Sequence, residues 1–550
     1  MPDGQTKRRS GSTQTVSSCN AANQLPMSNT SSSNSTGPRS HLWGFALLGV
    51  AYFALLFLPG ITDLGERRAS EITVGSKAFT ESVILGEVLR LESDNVGVLC
   101  KHRKELSGTQ VLWNALKKGE IDAYVEYSGT IQEEILKNED IDSLANMAER
   151  LRQDGITMSA PLGFNNTYAL GMRNEQAQEL GIQSIADLAE HAELRFGFSD
   201  EFAQRPDGWK GLKNRYGLSP TSVQTLDHSL SYRGVFEGAI DVIDLYSTDA
   251  EIAAYDLRIL DDSLDYFPRY EAVVLYRTEL KEKHPTAVKA FEELAGKINE
   301  NQMTAMNKSV RIDKASEAKV ALQFLKDNNK PDAVDRDKEK SVYQEIFIRS
   351  IEHQRLVVIS LALAILFAIP LGIAAYKVPR LGEAILSIVG IIQTIPSLAL
   401  MVFLITLANM ELGPQPAIVA LFLYSLLPIV RGTHTGLTSI APGIHESAMA
   451  LGLSGWAKLR LIELPLASQA ILSGIKTAAV INVGTATIGA LIGAGGYGQP
   501  ILTGIRLDDM SLILQGAVPA AAMALLVQWG FGWSERFLVP AGLKASPVKN

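Results

Sequence analysis

The sequence predicts an α/β domain followed by an all-α membrane domain, and two observations carry this prediction. Residues 70 to about 345 alternate short β-like runs with amphipathic helices, which is typical of α/β lobes. Residues 354–540 contain long apolar runs with almost no charge, which is the composition of membrane-spanning helices. Because 550 residues exceed one ordinary domain, several units are expected.

Two further units precede the α/β domain. Residues 1–40 are rich in Ser, Thr and Asn, a composition that predicts a disordered tail. Residues 41–60 are apolar and about long enough to cross a bilayer. The tail carries the bases Lys7, Arg8, Arg9 and Arg39. The positive-inside rule therefore predicts a cytoplasmic tail, an uncleaved anchor and an outside segment over 70–345.

The α/β domain begins with a predicted strand at Ile72–Val74 and a helix from near Thr80. Gly108–Leu116 places apolar side chains on one helical face, and Gly119 predicts the end of that helix. Further buried strands are predicted at Arg195–Phe198, Ala239–Ile243 and Ala272–Leu275. Since α/β lobes bind ligands at the carboxyl ends of their strands, a site is expected there.

The stretch Ile121–Thr130, IDAYVEYSGT, alternates apolar and polar residues and predicts another strand. Tyr127 lies at its carboxyl end, on the face opposite to Tyr124. Thr130 followed by Glu133 matches a capping box that would open the next helix. This stretch alone leaves two readings of Tyr127 open, a ligand contact or a core aromatic.

Five membrane spans are predicted from residue 350 onwards, at 355–376, 383–407, 416–431, 468–492 and 512–535. If residue 350 lies outside, these bases fall inside: Lys377, Arg380, Arg431, Lys458, Arg460, Arg536, Lys544 and Lys549. The outer connection at 411–416 has no base, and Arg506 is the one base in the other. With the anchor, this predicts a multi-pass protein of the cytoplasmic (inner) membrane with both termini in the cytoplasm.

The predicted cytoplasmic loop His445–Pro465 reads HESAMALGLSGWAKLRLIELP. It predicts a helix around Glu446–Leu451, a break at Gly452, a second helix and a stop at Pro465. The spacing resembles the EAA motif of ABC importer permeases, which docks on the ATPase subunit; the alternative is an ordinary amphipathic connection. The matching positions are Glu446, Ser447, Ala448, Gly452, Ile462, Leu464 and Pro465.

Three segments of the membrane domain add to this resemblance. Gln393–Leu400, Leu427–Arg431 and Ile492–Gly498 are similar to permeases for quaternary-amine osmoprotectants. The resemblance implies a MetI-like permease domain over 350–540 that works as a homodimer with two ATPase subunits. The sequence contains no G-x-x-x-x-G-K-[ST] loop for binding ATP phosphates. ATP hydrolysis is therefore expected from the partner ATPase, and no cofactor is expected in this chain.

A second resemblance covers nearly all of residues 71–345. The motifs VGSKAFTES, AYVEYSGT, GFNNTYAL, FAQRPDGWKGL, DLYSTD and YFPRYEAVVL occur in this order. Together they resemble the extracytoplasmic binding proteins for glycine betaine, choline and carnitine, which implies a two-lobed, periplasmic-binding-protein-like fold of type II. By motif, the aromatic box of that family would be Tyr127, Tyr168, Tyr246 and Tyr270. Lys77, Thr130 and Arg205 would hold the other end of the ligand.

These residue types suit a quaternary amine. A quaternary ammonium has no N–H to donate, whereas tyrosine faces attract it by about 1–2 kcal/mol per desolvated ring. Two fixed positive charges, Lys77 and Arg205, favour a ligand that also carries a carboxylate, such as a betaine or carnitine, over choline. The alternative for Arg205 is a turn with an internal ion pair, because Pro206-Asp207-Gly208 follows it.

The sequence therefore predicts a fused binding and permease subunit of an ABC importer for quaternary-amine compatible solutes. The alternatives are another cargo, such as a betaine-like histidine derivative or an amino acid, and a membrane sensor that does not transport. No catalytic or metal site is expected, and His191, His228 and His434 are interpreted as surface or packing residues. A net charge of -8 and two cysteines support neither nucleic-acid binding nor a disulfide framework.

Overall fold

The computed structural model describes residues 71–539 except 107, 138–140, 142, 329, 332, 334–340 and 409. The tail over 1–40 and the anchor over 41–60 lie outside the described residues. Predictions about them remain predictions.

The described part of the α/β domain forms two lobes, each built on a five-stranded sheet. The sheet of lobe 1 has the order β2-β1-β3-β10-β4, from β1 (Glu71–Lys77), β2 (Leu99–Leu106), β3 (Ala123–Tyr127), β4 (Ile156–Met158) and β10 (Ala272–Arg277). The sheet of lobe 2 has the order β7-β6-β8-β5-β9, from β5 (Tyr168–Arg173), β6 (Arg195–Ser199), β7 (Ser222–Leu226), β8 (Val242–Tyr246) and β9 (Leu257–Ile259). The chain passes between the lobes at 159–167 and 260–271, where Asn165 pairs with Glu271. The predicted two-lobed fold of type II is confirmed.

Helices cover the sheets of both lobes. Those of lobe 1 are Thr80–Asn95, Thr109–Lys118, Ser128–Thr130 with the π turn Ile131–Ile135, Leu144–Gln153, Leu280–Lys283, Pro285–Glu292, Glu300–Arg311 and Glu317–Asp327. Those of lobe 2 are Asn174–Leu180, the 3-10 turn Ile185–Glu190, Asp200–Gln204, Trp209–Tyr216, His228–Phe236 and Glu251–Ala254. Because both faces of lobe 1 are covered, all of β3 is buried, its polar residues included.

Two local predictions in this domain are wrong in detail. The strand predicted at Ala239–Ile243 begins at Val242, because the N–H groups of Ala239 and Ile240 donate to Gly234 O and complete the preceding helix. The capping box at Thr130 does not form: the helical turn opens at Ser128, and the Thr130 hydroxyl accepts from Arg205 instead.

The membrane domain contains four described helices that are long and apolar enough to cross a bilayer: Val342–Lys377, Pro414–Thr438, Gly455–Ile492 and Met510–Phe537. A fifth candidate is the pair Pro379–Thr394 and Ser397–Thr406, which meet at 97°. Each of the five predicted stretches falls on one of these elements. The bend lies at Ile395 and Pro396, since proline has no N–H and excludes a helical conformation from the residue before it.

Small residues let two of these helices approach each other closely. A Cβ at Gly474 would lie 2.5 Å from Pro428 O, and a Cβ at Gly432 would lie 2.7 Å from Ala470 O. Helices in lipid associate by such backbone contact, because the surrounding chains are as apolar as their own side chains. The glycines therefore join Pro414–Thr438 to Leu464–Thr485.

The loop at 442–465 has the predicted helix, break and second helix. The first helix is Pro442–Ala450, Gly452 has a left-handed φ of 71°, and the second helix starts with Gly455–Lys458. The predicted stop at Pro465 is wrong: the chain continues through the π turn Leu459–Glu463 into Leu464–Thr485. Pro465 is tolerated because it lies in the first turn of that segment, where the wider π turn ends.

After the fourth span, a turn leads to the short helix Gly498–Leu507 and then to Met510–Leu538. Three glycines of that turn, Gly493, Gly495 and Gly496, have positive φ. The segment 498–508 is called the outer helix below, because it contacts both lobes of the α/β domain.

Candidate functional site

The structure brings all seven predicted ligand contacts together where the lobes meet. Lobe 1 and the crossing before β10 supply Lys77, Tyr127, Thr130 and Tyr270, and lobe 2 supplies Tyr168, Arg205 and Tyr246. Lys77, Tyr127 and Tyr246 end β1, β3 and β8. Tyr168 begins β5, which runs antiparallel to β8, so it lies beside Tyr246. This is the carboxyl edge of the parallel strands, where α/β sheets bind ligands.

The tyrosine rings form a compact aromatic cage around Tyr168. Its ring centroid lies 5.0 Å from that of Tyr246 and 5.5 Å from that of Tyr270, which meets it edge-on. Phe79, which sequence reasoning did not single out, completes the cage. Its ring lies 6.1 Å from Tyr127 and 5.5 Å from Tyr246. Phe79 could have been proposed from the sequence, because it lies two residues after Lys77 in the motif VGSKAFTES.

The cage is closed in this arrangement. The cavity between the rings measures about 20 Å³, which is room for roughly one water. Beside it a cleft of about 560 Å³ is lined by both lobes, with Lys77, Phe79 and Arg205 on its walls. A ligand the size of a small betaine therefore needs the lobes to separate before it can enter the cage.

Both predicted cations have carboxylate partners. Lys77 Nζ lies 2.6 Å from Glu126 Oε1, and Glu126 is completely buried. The Arg205 guanidinium binds Asp207 through Nε, at 2.8 Å, and through Nη2. The internal ion pair that the sequence left as an alternative for Arg205 is present. Two unpaired positive charges, the basis for preferring a zwitterion over choline, are not what the site contains.

Arg205 nevertheless stays at the cage. Its guanidinium carbon lies 5.4 Å from the centroid of Tyr168, and Nη1 donates to the Thr130 hydroxyl at 3.4 Å. Asp207, which holds the other two nitrogens, also accepts from the Tyr270 hydroxyl at 2.5 Å. Asp207 therefore orients both the Arg205 guanidinium and the Tyr270 ring of the cage.

The cage tyrosines are neutral phenols. Burial raises the pKa of Tyr127, and the nearby Glu81 carboxylate raises it further. Burial raises the pKa values of Tyr168 and Tyr246 in the same direction. A neutral ring keeps the negative face that attracts a cation, so the cage has the electronic character that a quaternary ammonium requires.

His228 belongs to the surroundings of the site, which the sequence interpretation missed. Its ring lies 4.6 Å from Tyr246, on the wall of the cleft. Burial lowers the pKa of His228, but the Asp244 carboxylate, 3.6 Å from Nδ1, and the Asp249 carboxylate, 3.1 Å from Nε2, outweigh it and raise the value to about 10. His228 is therefore an imidazolium that backs Tyr246 and is paired with two aspartates.

A second histidine network lies in lobe 1. His102 Nε2 is 2.8 Å from Ser76 Oγ, and His102 Nδ1 is 2.9 Å from Glu87 Oε1, which is the bonding order of a hydrolytic triad. Ser76 and Glu87 are only 1% and 2% exposed. The burial of these groups makes the network a support for the strand that presents Lys77, and gives it no face for a substrate.

The outer helix attaches the membrane domain to lobe 1 through Arg506. Its Nε donates to Glu105 Oε1 at 2.7 Å, and Nη2 donates to Glu317 Oε1 at 2.5 Å. Gln499 and Thr503 also donate to Glu105. Lobe 2 touches the same helix more weakly, since Ser229 Oγ donates to Arg506 O at 3.2 Å. Sequence reasoning noted Arg506 only as the single base of an outer connection.

Lobe 1 has a second attachment to the membrane domain. Glu120 accepts from Leu412 N at 2.6 Å, and Lys118 donates to Ile405 O at 3.4 Å. Apolar side chains of lobe 1, including Leu106 and Ile121, share one buried cluster with Leu412 and Ile492. Lobe 1 is therefore the part of the α/β domain that is seated on the membrane helices.

Two family models match the chain. Residues 70–327 match the substrate binding domain of the ABC-type glycine betaine transport system. Residues 364–540 match the inner membrane component of binding-protein-dependent transport systems. Both matches lie within the predicted domains, and the cage lies wholly within the first.

Curated relatives are similar to one or both halves. The glycine betaine/carnitine/choline permease protein OpuCB of Bacillus subtilis is 38% identical over 200 residues, 36% of this chain and 91% of the relative. The ergothioneine transport permease/ergothioneine binding protein EgtU of Helicobacter pylori is 34% identical over 286 residues, 50% of this chain and 51% of the relative. The osmoprotectant import permease protein OsmW of Salmonella typhimurium is 39% identical over 196 residues, 35% of this chain and 91% of the relative.

A solved structure of a glycine betaine/carnitine/choline ABC transporter is also similar. It is 30% identical, covers 47% of this chain and 98% of its own, and has a TM-score of 0.41.

Proposed function

This chain belongs to the ABC importer family, as a substrate-binding domain of the glycine betaine type fused to a permease domain, and we propose that its cargo is a quaternary amine. It is a transport subunit rather than an enzyme. The observation that carries the proposal is the convergence of Tyr127, Tyr168, Tyr246, Tyr270 and Phe79 on one cavity. Several desolvated rings at about 1–2 kcal/mol each approach the roughly 8 kcal/mol of a micromolar site.

The carboxylate of a betaine or carnitine has a receptor at the edge of the cage. Arg205 uses Nε and Nη2 for Asp207, while Nη1 lies 3.4 Å from the Thr130 hydroxyl and 3.6 Å from Glu201 Oε1. We propose that Nη1, the Thr130 hydroxyl and Lys77 Nζ take the carboxylate of a zwitterion. Glu201 also lines this cavity, beside Arg205 Nη1, so an incoming carboxylate would replace the contact that Glu201 makes with that nitrogen.

A calorimetric panel on the full chain in lipid nanodiscs tests the cargo. We expect micromolar binding of glycine betaine, carnitine or choline, and weaker binding of an ordinary amino acid such as glutamine. The panel also includes ergothioneine, the betaine of thiohistidine, because the name of the Helicobacter relative contains it. Ergothioneine has the same type of cationic head as glycine betaine. A preference for the ordinary amino acid would contradict the assignment of the aromatic cage as the binding site of a quaternary amine.

We propose that the α/β domain lies outside, that both termini lie in the cytoplasm, and that two copies of the chain assemble with two ATPase subunits. The positive-inside pattern supports this orientation. The loop at 442–465 supports the ATPase contact, because it exposes four apolar side chains, Met449, Leu451, Trp456 and Leu461, by 61% or more. Glu463 lies near both His445 and Lys458 and holds the two helices of the loop in one orientation. ATP would be bound by the partner ATPase and not by this chain.

Replacing Gly452 with tryptophan is expected to prevent co-purification of the ATPase subunit. The residue is exposed, has a left-handed φ of 71°, and adjoins the exposed Leu451, so the new ring would cover the docking surface. Co-purification from membranes that contain both subunits is the measurement.

Gly217→Trp is the matched control for this variant. Gly217 also has a left-handed φ, of 66°, and open space around it, but it lies on lobe 2. Retention of the ATPase by both variants would contradict the proposed contact at this loop. A wild-type chain that co-purifies with no ATPase would favour the sensor alternative, which needs none.

A further inference from the structure

Glu81 is a buried carboxylate that accepts four hydrogen bonds from side chains. The Tyr127 hydroxyl and Asn166 Nδ2 donate to Oε1, at 2.6 Å and 2.9 Å. The Thr248 hydroxyl and Asn307 Nδ2 donate to Oε2, at 2.6 Å and 3.1 Å. Glu81 is 2% exposed, and none of its partners is a lysine or an arginine. This residue was not among the predicted ligand contacts.

The four donors come from four separate parts of the domain. Tyr127 is a cage ring at the end of β3 in lobe 1, and Asn166 lies in the crossing at 159–167. Thr248 lies in lobe 2, two residues after the cage residue Tyr246. Asn307 belongs to the helix Glu300–Arg311, and its amide also donates to Thr248 O at 3.0 Å. One carboxylate therefore joins a cage ring, the hinge and the opposite lobe.

Two of these bonds depend on lobe closure in different ways. Thr248 belongs to lobe 2, so its bonds with Glu81 and Asn307 join the two lobes. Tyr127 stays on lobe 1 with Glu81 when the lobes part. Burial raises the pKa of Glu81, and the bond from Thr248 is the largest opposing cause, followed by the bond from Tyr127. Of the four donors only Thr248 belongs to lobe 2, so the contact between the lobes completes the hydrogen bonding of this carboxylate.

We propose that Glu81 is a positioning residue that latches lobe 2 onto lobe 1 through Thr248 and orients the Tyr127 ring at the cage. The role rests on the proposed function, since it concerns the retention of the ligand held in the cage. Glu81 does not line the cavity and acts through Tyr127 and Thr248. The ligand enters before the latch forms, so the association rate does not depend on the latch. Loss of the latch is therefore expected to raise the dissociation rate of the ligand.

Ligand kinetics on the full chain in nanodiscs test the latch, with glycine betaine as the probe. If another member of the panel binds the wild type instead, that compound is the probe, because closure does not depend on which amine is enclosed. Glu81→Gln replaces one oxygen by an amide that opposes two donors, and Thr248→Val removes only the bond from lobe 2. Both variants are expected to raise the dissociation rate about tenfold or more with little change in the association rate.

Two further readouts separate a latch from a purely structural role. The unfolding midpoint without ligand should change little in Thr248→Val, whereas its ligand-induced increase should shrink. The losses of affinity in Glu81→Gln and Thr248→Val should overlap in the double variant, because both remove one link. Thr225→Val, an exposed substitution on β7 of lobe 2, is the control and should match the wild type.

Unchanged dissociation rates in Thr248→Val would overturn the latch. Fully additive losses with a lowered ligand-free midpoint would also overturn it and would leave Glu81 as a folding residue. If Glu81→Gln does not fold, Thr248→Val and its ligand-induced midpoint carry the decision. A wild type that binds no quaternary amine contradicts the proposed function alone, since the latch is then tested with the compound that binds.

Discussion

Transport is expected to be lost in Arg506→Ala, while the affinity for ligand stays close to that of the wild type. Arg506 lies buried between Glu105 and Glu317, and its removal takes away the cation that bridges these two buried carboxylates. Breaking a buried pair in this way costs about 3–5 kcal/mol. The cost falls on the contact between lobe 1 and the outer helix, which is separate from the cage. Ligand uptake into proteoliposomes with the ATPase, beside calorimetry on the same variant, measures the two effects.

Arg233→Ala is the matched control for Arg506. Arg233 of lobe 2 lies 3.8 Å from Asp508 of the outer helix, but the Arg233 side chain is 58% exposed. Such an exposed pair contributes about 0–1 kcal/mol. A variant that replaces Arg506 with Leu and both Glu105 and Glu317 with Gln removes all three charges and is expected to restore part of the uptake. Full uptake by Arg506→Ala would show that lobe 1 is not held by this residue during transport.

Lys77→Met is expected to weaken the binding of every ligand in the panel by about 100-fold. The substitution leaves Glu126 buried and unpaired at the cage, and a penalty of about 3 kcal/mol corresponds to that factor. The loss includes choline, because the cause is the orphaned carboxylate and not a missing contact to the ligand. Calorimetry with choline and glycine betaine gives both numbers.

The double variant Lys77→Met with Glu126→Gln separates the two roles of Lys77. If Lys77 only compensates Glu126, neutralising both restores the binding of both ligands. If Lys77 also holds the ligand carboxylate, choline binding returns and glycine betaine binding stays weak. We expect the second outcome. Equal recovery of both ligands would leave Arg205 and Thr130 as the receptor of the carboxylate.

Local pattern was enough to predict most secondary structure, and the resemblance of the ordered motifs to a known family implied the four tyrosines of the cage. Period and turn signals located β1, β3 and the helix that Gly119 ends, because these depend on neighbours within a few residues. The errors lie where a contact with a distant residue, or a π turn in place of an α turn, overrides the local signal. Thr130 serves Arg205 rather than a helix end, and Pro465 is carried through by a π turn. Such choices depend on geometry that a motif does not contain.

The charges at the site also show which features can be predicted from the sequence and which depend on the fold. Lys77 and Arg205 were recognisable as cations at the edge of the cage. Their neutralisation depends on Glu126, 49 positions from Lys77, and on Asp207, whose second partner is Tyr270. The sequence already offered the neighbouring Asp207 as a partner of Arg205, but only the folded chain brings Glu126 to Lys77 and Tyr270 to Asp207. The preference between a zwitterion and a cation therefore could not be decided from residue types.

The sequence by itself determined that this protein has an α/β domain and a helical membrane domain, because composition and periodicity are properties of the chain. The two lobes and the four tyrosines of the cage were implied by the resemblance of its ordered motifs to a known family. The tertiary structure decided which groups compensate one another. It placed Glu81 across the lobes, His228 behind Tyr246, and Arg506 between Glu105 and Glu317. The physical reason is that hydrogen bonds and buried ion pairs act over a few ångströms, and residues hundreds of positions apart reach that distance only after the chain has folded.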